Sequence, residues 1–154
     1  MSVSDRVLRS VDWQSVQVLR GSGPELAEAL SRFIGCDNPD EMADLWWGLE
    51  GVMFAQGTIY GAAEPAVDVL LAALVDGRPE AATAWIVELL RMVLVGVSPD
   101  DPSLQLRCRA RAARGTWLLA TLAIRLDGTD REAVLEVLGL IDQAVADSVR
   151  SALT

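Results

Sequence analysis

The side chains that could do ionic or nucleophilic chemistry in this sequence are carboxylates, arginines, hydroxyls and two cysteines. There is no histidine, and all thirteen basic residues are arginine. Without histidine no Ser-His-Asp or Cys-His arrangement can activate a nucleophile, the histidine-based di-iron motif is gone, and most zinc sites are too. Without lysine there is no Schiff base and no P-loop. Gly21-x-Gly23 is too short for a nucleotide loop, and no strand pattern precedes it. Cys36 and Cys108 lie far apart and outside any CxxC, so both are expected to be small buried apolar residues of a reducing compartment. An acid–base pair made only of Asp and Glu is left, and no spacing marks one out. The expectation is a non-enzymatic chain with no catalytic residue, metal or cofactor.

Three constellations and one turn could instead contact a partner. Asp37, Asp40, Glu41 and Asp44 fall at i, i+3, i+4 and i+7, along one face at a helix start. They either offset the helix dipole on a solvated face or meet an Arg/Lys-rich partner, raising on-rate and specificity. In Trp46-Trp47, adjacent helical positions point about 100° apart. Trp46 falls on an apolar stripe, so Trp47 is either covered by a second helix or exposed as an interface anchor. Arg107, Arg111 and Arg114 share a face, with Arg109 pointing elsewhere. Pairing with carboxylates of neighbouring helices is the default, and a small anion-binding patch the alternative. Gln56 and Tyr60 flank Gly57, where a left-handed helix cap is expected. Their polar tips are expected to close hydrogen bonds of that turn, with a partner contact as the alternative.

Helices must position these groups. The chain has 154 residues, 51% of them hydrophobic, with mean hydropathy +0.29. Leu, Ala and Val dominate and only three residues are Phe or Tyr, which favours helices over a β-sandwich. Caps and apolar periodicity predict a first helix from about Ser4 to Leu19 and a second from Pro24 to Gly35. A third starts at the Asn38 cap with Pro39 at its first position, carries Met42, Leu45, Trp46, Leu49 and Met53, and closes at Gly57. A fourth runs from about Ile59 to Val75, with Pro65 marking either its start near Glu64 or a kink. The fifth opens at Pro79. The sixth opens at Asp101-Pro102 and reaches Leu126, with Gly115 as a weak point. A capping box, Thr129-x-x-Glu132, opens the last, which runs unbroken to Val149. No strand is expected, and no linker separates domains, so residues 1–154 are expected to be one domain of about seven antiparallel helices.

Pro39 and Pro79 begin helices forty residues apart, and that shift lays Leu45 on Trp85, Leu49 on Leu89 and Met53 on Val93. About 40 residues per helix pair is HEAT-type spacing, with a compact bundle as the competing architecture. The segment Leu45-Trp46 … Ala55-Gln56-Gly57-Thr58-Ile59-Tyr60-x-Ala62-Ala63-x-Pro65-Ala66-Val67, followed by Leu70-Leu71, resembles a motif of bacterial HEAT-repeat domain proteins. There a Trp-bearing helix ends in a His-Gln-Gly-Thr-Val-Tyr-like turn before an Ala-rich helix. Ala55 stands here for the usual His, and Asp68 where a Pro often follows Val67. The likeness covers roughly residues 39–96. It implies an all-α, HEAT-like solenoid and a helical binding scaffold, some bacterial examples of which look like immunity proteins of toxin systems.

Net charge is −9 and the isoelectric point about 4.4. Such a surface repels nucleic acid and anionic membranes and suits a basic protein. The first thirteen residues lack an apolar signal-peptide core, and the longest apolar run, Trp117 to Ile124, is too short to span a bilayer. A cytoplasmic location follows as the expectation. With the resemblance, the expected function is an immunity-type protein that binds and neutralises a basic toxin such as a nuclease. Its expected contacts are Asp37, Asp40, Glu41, Asp44, Trp47, Gln56 and Tyr60. The alternative is a scaffold that bridges proteins or self-associates as a homodimer.

Overall fold

Helix starts fall where capping chemistry puts them. In the computed structural model, which describes residues 1–154, α1 (Val3–Ser10) is opened by a Ser2–Asp5 capping box. A Ser22–Glu25 box with Pro24 in the first turn opens α2 (Gly23–Gly35). The Asn38 side chain accepts from the Asp40 and Glu41 amides to start α3 (Pro39–Trp46). Six more helices follow: α4 (Ala63–Asp76), α5 (Glu80–Val95), α6 (Leu104–Ala112), α7 (Thr116–Arg125), α8 (Gly128–Ile141) and α9 (Gln143–Ala152). The chain is mostly helical, and no helix is long and apolar enough to cross a membrane.

Several boundaries differ from those the sequence predicts. The first helix stops at Ser10 rather than Leu19, and a 3₁₀ turn follows at Trp13–Ser15. Beyond it the backbone serves distant partners: the Gln17 carbonyl accepts from the Ala62 amide, and the Leu19 amide donates to Val52. Three β-branched valines at 11, 16 and 18 make helix a weak competitor there. The third helix ends at Trp46. A two-stranded hairpin, β1 (Phe54–Ala55) and β2 (Thr58–Ile59), occupies the expected helix end, in register Phe54 with Ile59. Its loop residues Gln56 and Gly57 both have positive φ, +50° and +81°. Two left-handed residues in a two-residue loop define a type I′ hairpin turn, so Gly57 is not a helix cap. Pro65 sits in the first turn of α4, where its missing N–H costs nothing.

The long sixth helix is broken by a 3₁₀ turn at Ala113–Gly115. Gly115 is pressed against α4: a Cβ there would stand 2.7 Å from a Leu71 methyl. The Thr129–Glu132 capping box does not form, because α8 starts at Gly128 and places Thr129 inside the first turn. Asp142, in extended conformation, separates α8 from α9, and its carboxylate accepts from the Val145 amide. Beyond the break Ala146 and Val149 continue the buried apolar positions in α9.

Buried side chains form one cluster from Trp13 to Val149. At its centre α4 is buried almost all round, from Ala63 and Ala66 to the run Val69–Leu74. Such a helix must be covered on every side, and α1, α5 and α6 pack on it. α5 packs on α3, α6 and α8 as well, and α8 on α7 and α9. Asp76, at the end of α4, holds α1 in place by accepting from the Val3 and Ser4 amides at 2.7 and 2.9 Å.

α4 and α6 are also joined by charge. Glu64 accepts from Arg107 at 2.8 Å and from Arg111 at 2.9 Å, while Asp101 takes Arg107 at 2.6 Å and Asp68 takes Arg111. The default expectation for Arg107 and Arg111 therefore holds. Arg109 donates to the Leu94 carbonyl instead, and Arg114 forms no ion pair. Burial pushes the Glu64 carboxyl upward, but the two guanidiniums outweigh it and leave the pKa below its ordinary value. A carboxyl depressed on folding stabilises at pH above that ordinary value, 4.5, and loses the contribution as pH falls below it. Glu64→Gln is expected to lower stability by about 1–2 kcal/mol at neutral pH, a figure discounted for the partly exposed arginines. In urea titrations the gap from wild type should close toward pH 3; a gap that persists there would mean the loss is not electrostatic.

Both cysteines are free. Cys108 is fully buried between α6 and α4. Burial, aided by the Glu64 charge, pushes its thiol up to about 12, so it stays protonated. Cys36, expected to be buried, is only half-buried, and its thiol donates to the Asn38 carbonyl.

Candidate functional site

The Asn38 cap and Pro39 orient the start of α3 so that Asp40 and Glu41 occupy its first turn and Asp44 the next. With Asp37 all four carboxylates are exposed. Asp37 meets Arg78 at 3.4 Å. Asp40, Glu41 and Asp44 have no arginine within ion-pair distance. Beside them an open groove of about 470 Å³ lies between α3, α5 and α8, lined by Pro39, Ala81, Ala84, Trp85, Glu88 and Asp130. Glu80 in the first turn of α5 and Asp130 in the first turn of α8 meet at its far rim. The Glu80 carboxyl is raised above its ordinary value, first by its hydrogen bond with Asp130, then by burial and by the charges of Asp130 and Asp127.

Three helix starts thus bring their acidic first turns to one corner. Each acid offsets its own helix dipole, which explains why it is there. At the Glu80 end the acids also crowd one another, Asp130 and Asp127 acting on the Glu80 carboxyl. Of the groove's own carboxylates only Glu88 is partnered, by Arg91 at 2.7 Å. An anionic rim over an indole floor suits a guanidinium or ammonium group. Of the Glu80–Asp130 pair, Glu80 is exposed and Asp130 half-buried.

Trp85 ties the groove to α3. Its ring packs against Trp46 at 5.7 Å, and Trp46 also meets Phe33 and Phe54 edge-on at 6.1 and 5.6 Å. Trp46 is therefore on the apolar stripe, as its spacing predicts. Trp47 points the other way and is 70% exposed; no second helix covers it. α3 is eight residues, about 12 Å long, so its acidic start and Trp47 border one edge of the molecule.

Gln56 and Tyr60 belong elsewhere. The hairpin is bonded to Val97, just past the end of α5, by Val97 N–H to the Gly57 carbonyl and Ile59 N–H to the Val97 carbonyl, both 2.9 Å. Asp37 is bonded to Arg78, just before α5 begins. The sixteen residues of α5 between them span about 24 Å. The expected contact set therefore divides into an acidic edge with Trp47 and a separate hairpin tip. Neither the Gln56 nor the Tyr60 side chain hydrogen-bonds within the protein; the turn is closed by backbone alone, contrary to expectation. Glu80, Glu88, Asp130 and Trp85 escape sequence reasoning because they converge from two other helices. The only local signal was the first-turn acid at Glu80 and at Asp130.

No family model matches this sequence, and neither a curated protein nor a solved structure matches it.

Proposed function

We propose that this domain is a non-catalytic protein-binding module whose acidic α3 edge receives a basic partner. The observation that carries the reading is Trp47, 70% exposed at the end of a helix whose Asp40, Glu41 and Asp44 are unpaired. A large exposed indole beside unneutralised charge is the composition of an interface anchor with a steering rim. The adjoining groove supplies a slot for an arginine or lysine side chain of that partner. The specific form proposed is an immunity-type protein that blocks a cytoplasmic toxin with a cationic active-site groove, such as a nuclease. The two free cysteines are compatible with that compartment.

The scaffold we propose is a HEAT-like stack. Supporting it, α3 begins at Pro39 and α5 directly after Pro79, and the two pack together, with Trp46 against Trp85.

The test is binding to a basic toxin domain encoded beside this gene. Wild-type protein in excess should neutralise the toxin. Asp40→Arg with Asp44→Arg should weaken binding about a hundredfold at low salt, and Trp47→Ala by roughly thirtyfold. Affinity unchanged in both variants would remove the α3 edge from the proposal. A toxin indifferent to excess protein would remove the immunity role.

A further inference from the structure

α1 is held at its two ends by different means. At its start the Asp76 carboxylate accepts from the Val3 and Ser4 amides and from the Ser4 hydroxyl. A carboxylate at the last position of α4 opposes that helix's own dipole, so its placement is explained by α1 and not by α4. At the far end the Trp13 indole donates to the Leu8 carbonyl at 2.8 Å. Trp13 is buried, and its backbone carbonyl is pressed against Gly23 at the start of α2. The 3₁₀ turn is thus fixed to α2. Between that turn and α1 stand only Val11 and Asp12, both outside helical geometry.

Little apolar surface holds the helix between these ends. Ser4 is its only buried residue, Val7 and Leu8 are half-buried, and Val3 is 46% exposed. The surface beneath is different. α1 packs chiefly on α4. Ala73, Ala72 and Val69 precede Asp76 by three, four and seven positions, so they share its face of α4, and all three are buried. A lightly anchored helix therefore covers a fully apolar side of the central one.

We infer that α1 is a strap, hinged at Val11 and Asp12 and latched by Asp76, which opens as a unit and uncovers this side of α4 while the rest of the chain stays folded. Eight residues are too few to persist as an isolated helix in water, so opening melts α1. The event is an order–disorder transition of residues 1–10. Hydrogen bonds to a charged acceptor are the strong kind, and Asp76 receives three from the first turn of α1. The closed state thus depends on one side chain seventy positions away. The strap shares no residue with the acidic α3 edge, and the two stand or fall separately.

Native-state hydrogen exchange of the full chain, read by NMR, tests this. The informative amides are those of residues 7–10, whose hydrogen bonds lie within α1 and do not involve Asp76. Corrected for intrinsic rates, they should exchange at least about a hundredfold faster than the buried amides of α5, and at one common rate to within about threefold. Sub-denaturing urea should leave that rate almost unchanged, because opening α1 exposes little surface, while α5 exchange should accelerate about tenfold or more per molar. Asp76→Ala should speed exchange at residues 7–10 by at least about tenfold. Amides of α1 that share both the rate and the urea dependence of α5 would show that the helix leaves only when the whole chain unfolds, and would overturn the inference. A graded rise in protection from residue 7 to residue 10 would mean fraying from the chain end, which also overturns it. An Asp76→Ala chain with wild-type exchange at residues 7–10 would remove the latch.

Discussion

Trp46→Ala is expected to lower the unfolding free energy by about 3 kcal/mol, whereas Trp47→Ala, one residue later, should stay within about 0.5 kcal/mol of wild type. The two residues share a side chain and a helix end but not an environment. The Trp46 ring touches Phe33 of α2, Phe54 of the hairpin and Trp85 of α5, all within 6.1 Å. Its removal leaves a void where four elements meet and ends three aromatic contacts worth about 0.5–1.5 kcal/mol each beyond their area. Trp46 is itself half-buried, which holds the estimate toward the low end of the range for aromatic truncation. Trp47 gives up water-exposed surface and touches nothing the core depends on. Urea titrations of both variants check this. Equal losses would mean that Trp47 is covered in solution, and the proposed anchor would go with it.

Gly23→Ala is the second large effect. Gly23 is buried at the first position of α2, and a Cβ placed there would lie 1.6 Å from the Trp13 carbonyl oxygen and 2.9 Å from a Val16 methyl. The obstacle is backbone, which cannot swing aside like the tip of a flexible chain. The 3₁₀ turn at Trp13–Ser15 would have to lift off α2, taking with it the buried Trp13 ring and the indole hydrogen bond to the Leu8 carbonyl. A cost of about 3 kcal/mol or more is expected. Because the damage is local, hydrogen exchange should rise first in residues 11–22 and much less in α4 and α5. Uniform acceleration across the chain would contradict this account, and a stability equal to wild type would show that the turn relaxes freely.

The helices legible in the sequence are those whose starts carry their own signals. Ser22 with Glu25, and Asn38 with Pro39, needed only neighbours three residues away, and α2 and α3 begin where those residues place them. The stripe through Leu26, Leu30 and Phe33 needed only its spacing. Two of the departures share one cause. Gln17 and Leu19 take backbone partners around Ala62 and Val52, so residues after Ser10 leave the helix for contacts more than thirty positions away. Local sequence predicts a helix cap at Gly57 because a left-handed glycine serves both a cap and a type I′ turn, and the choice was made by Phe54 and Ile59 finding the core together.

Local chemistry was likewise enough to assign the acids of α3 to one helix face, to place Trp46 on the apolar stripe, and to leave histidine- and lysine-based catalysis without its residues. Those properties depend on composition and on spacings shorter than two helical turns. Folding alone decided that Glu80 and Asp130 crowd one another beside the groove, that the hairpin tip with Gln56 and the Asp37 start of α3 are held at opposite ends of α5, and that Trp47 and Trp117 remain in water. Each of these is a relation between helices. Periodicity tells a helix which face to bury, while the neighbour that covers it, and the face that none covers, is settled only when every apolar stripe competes for the same core.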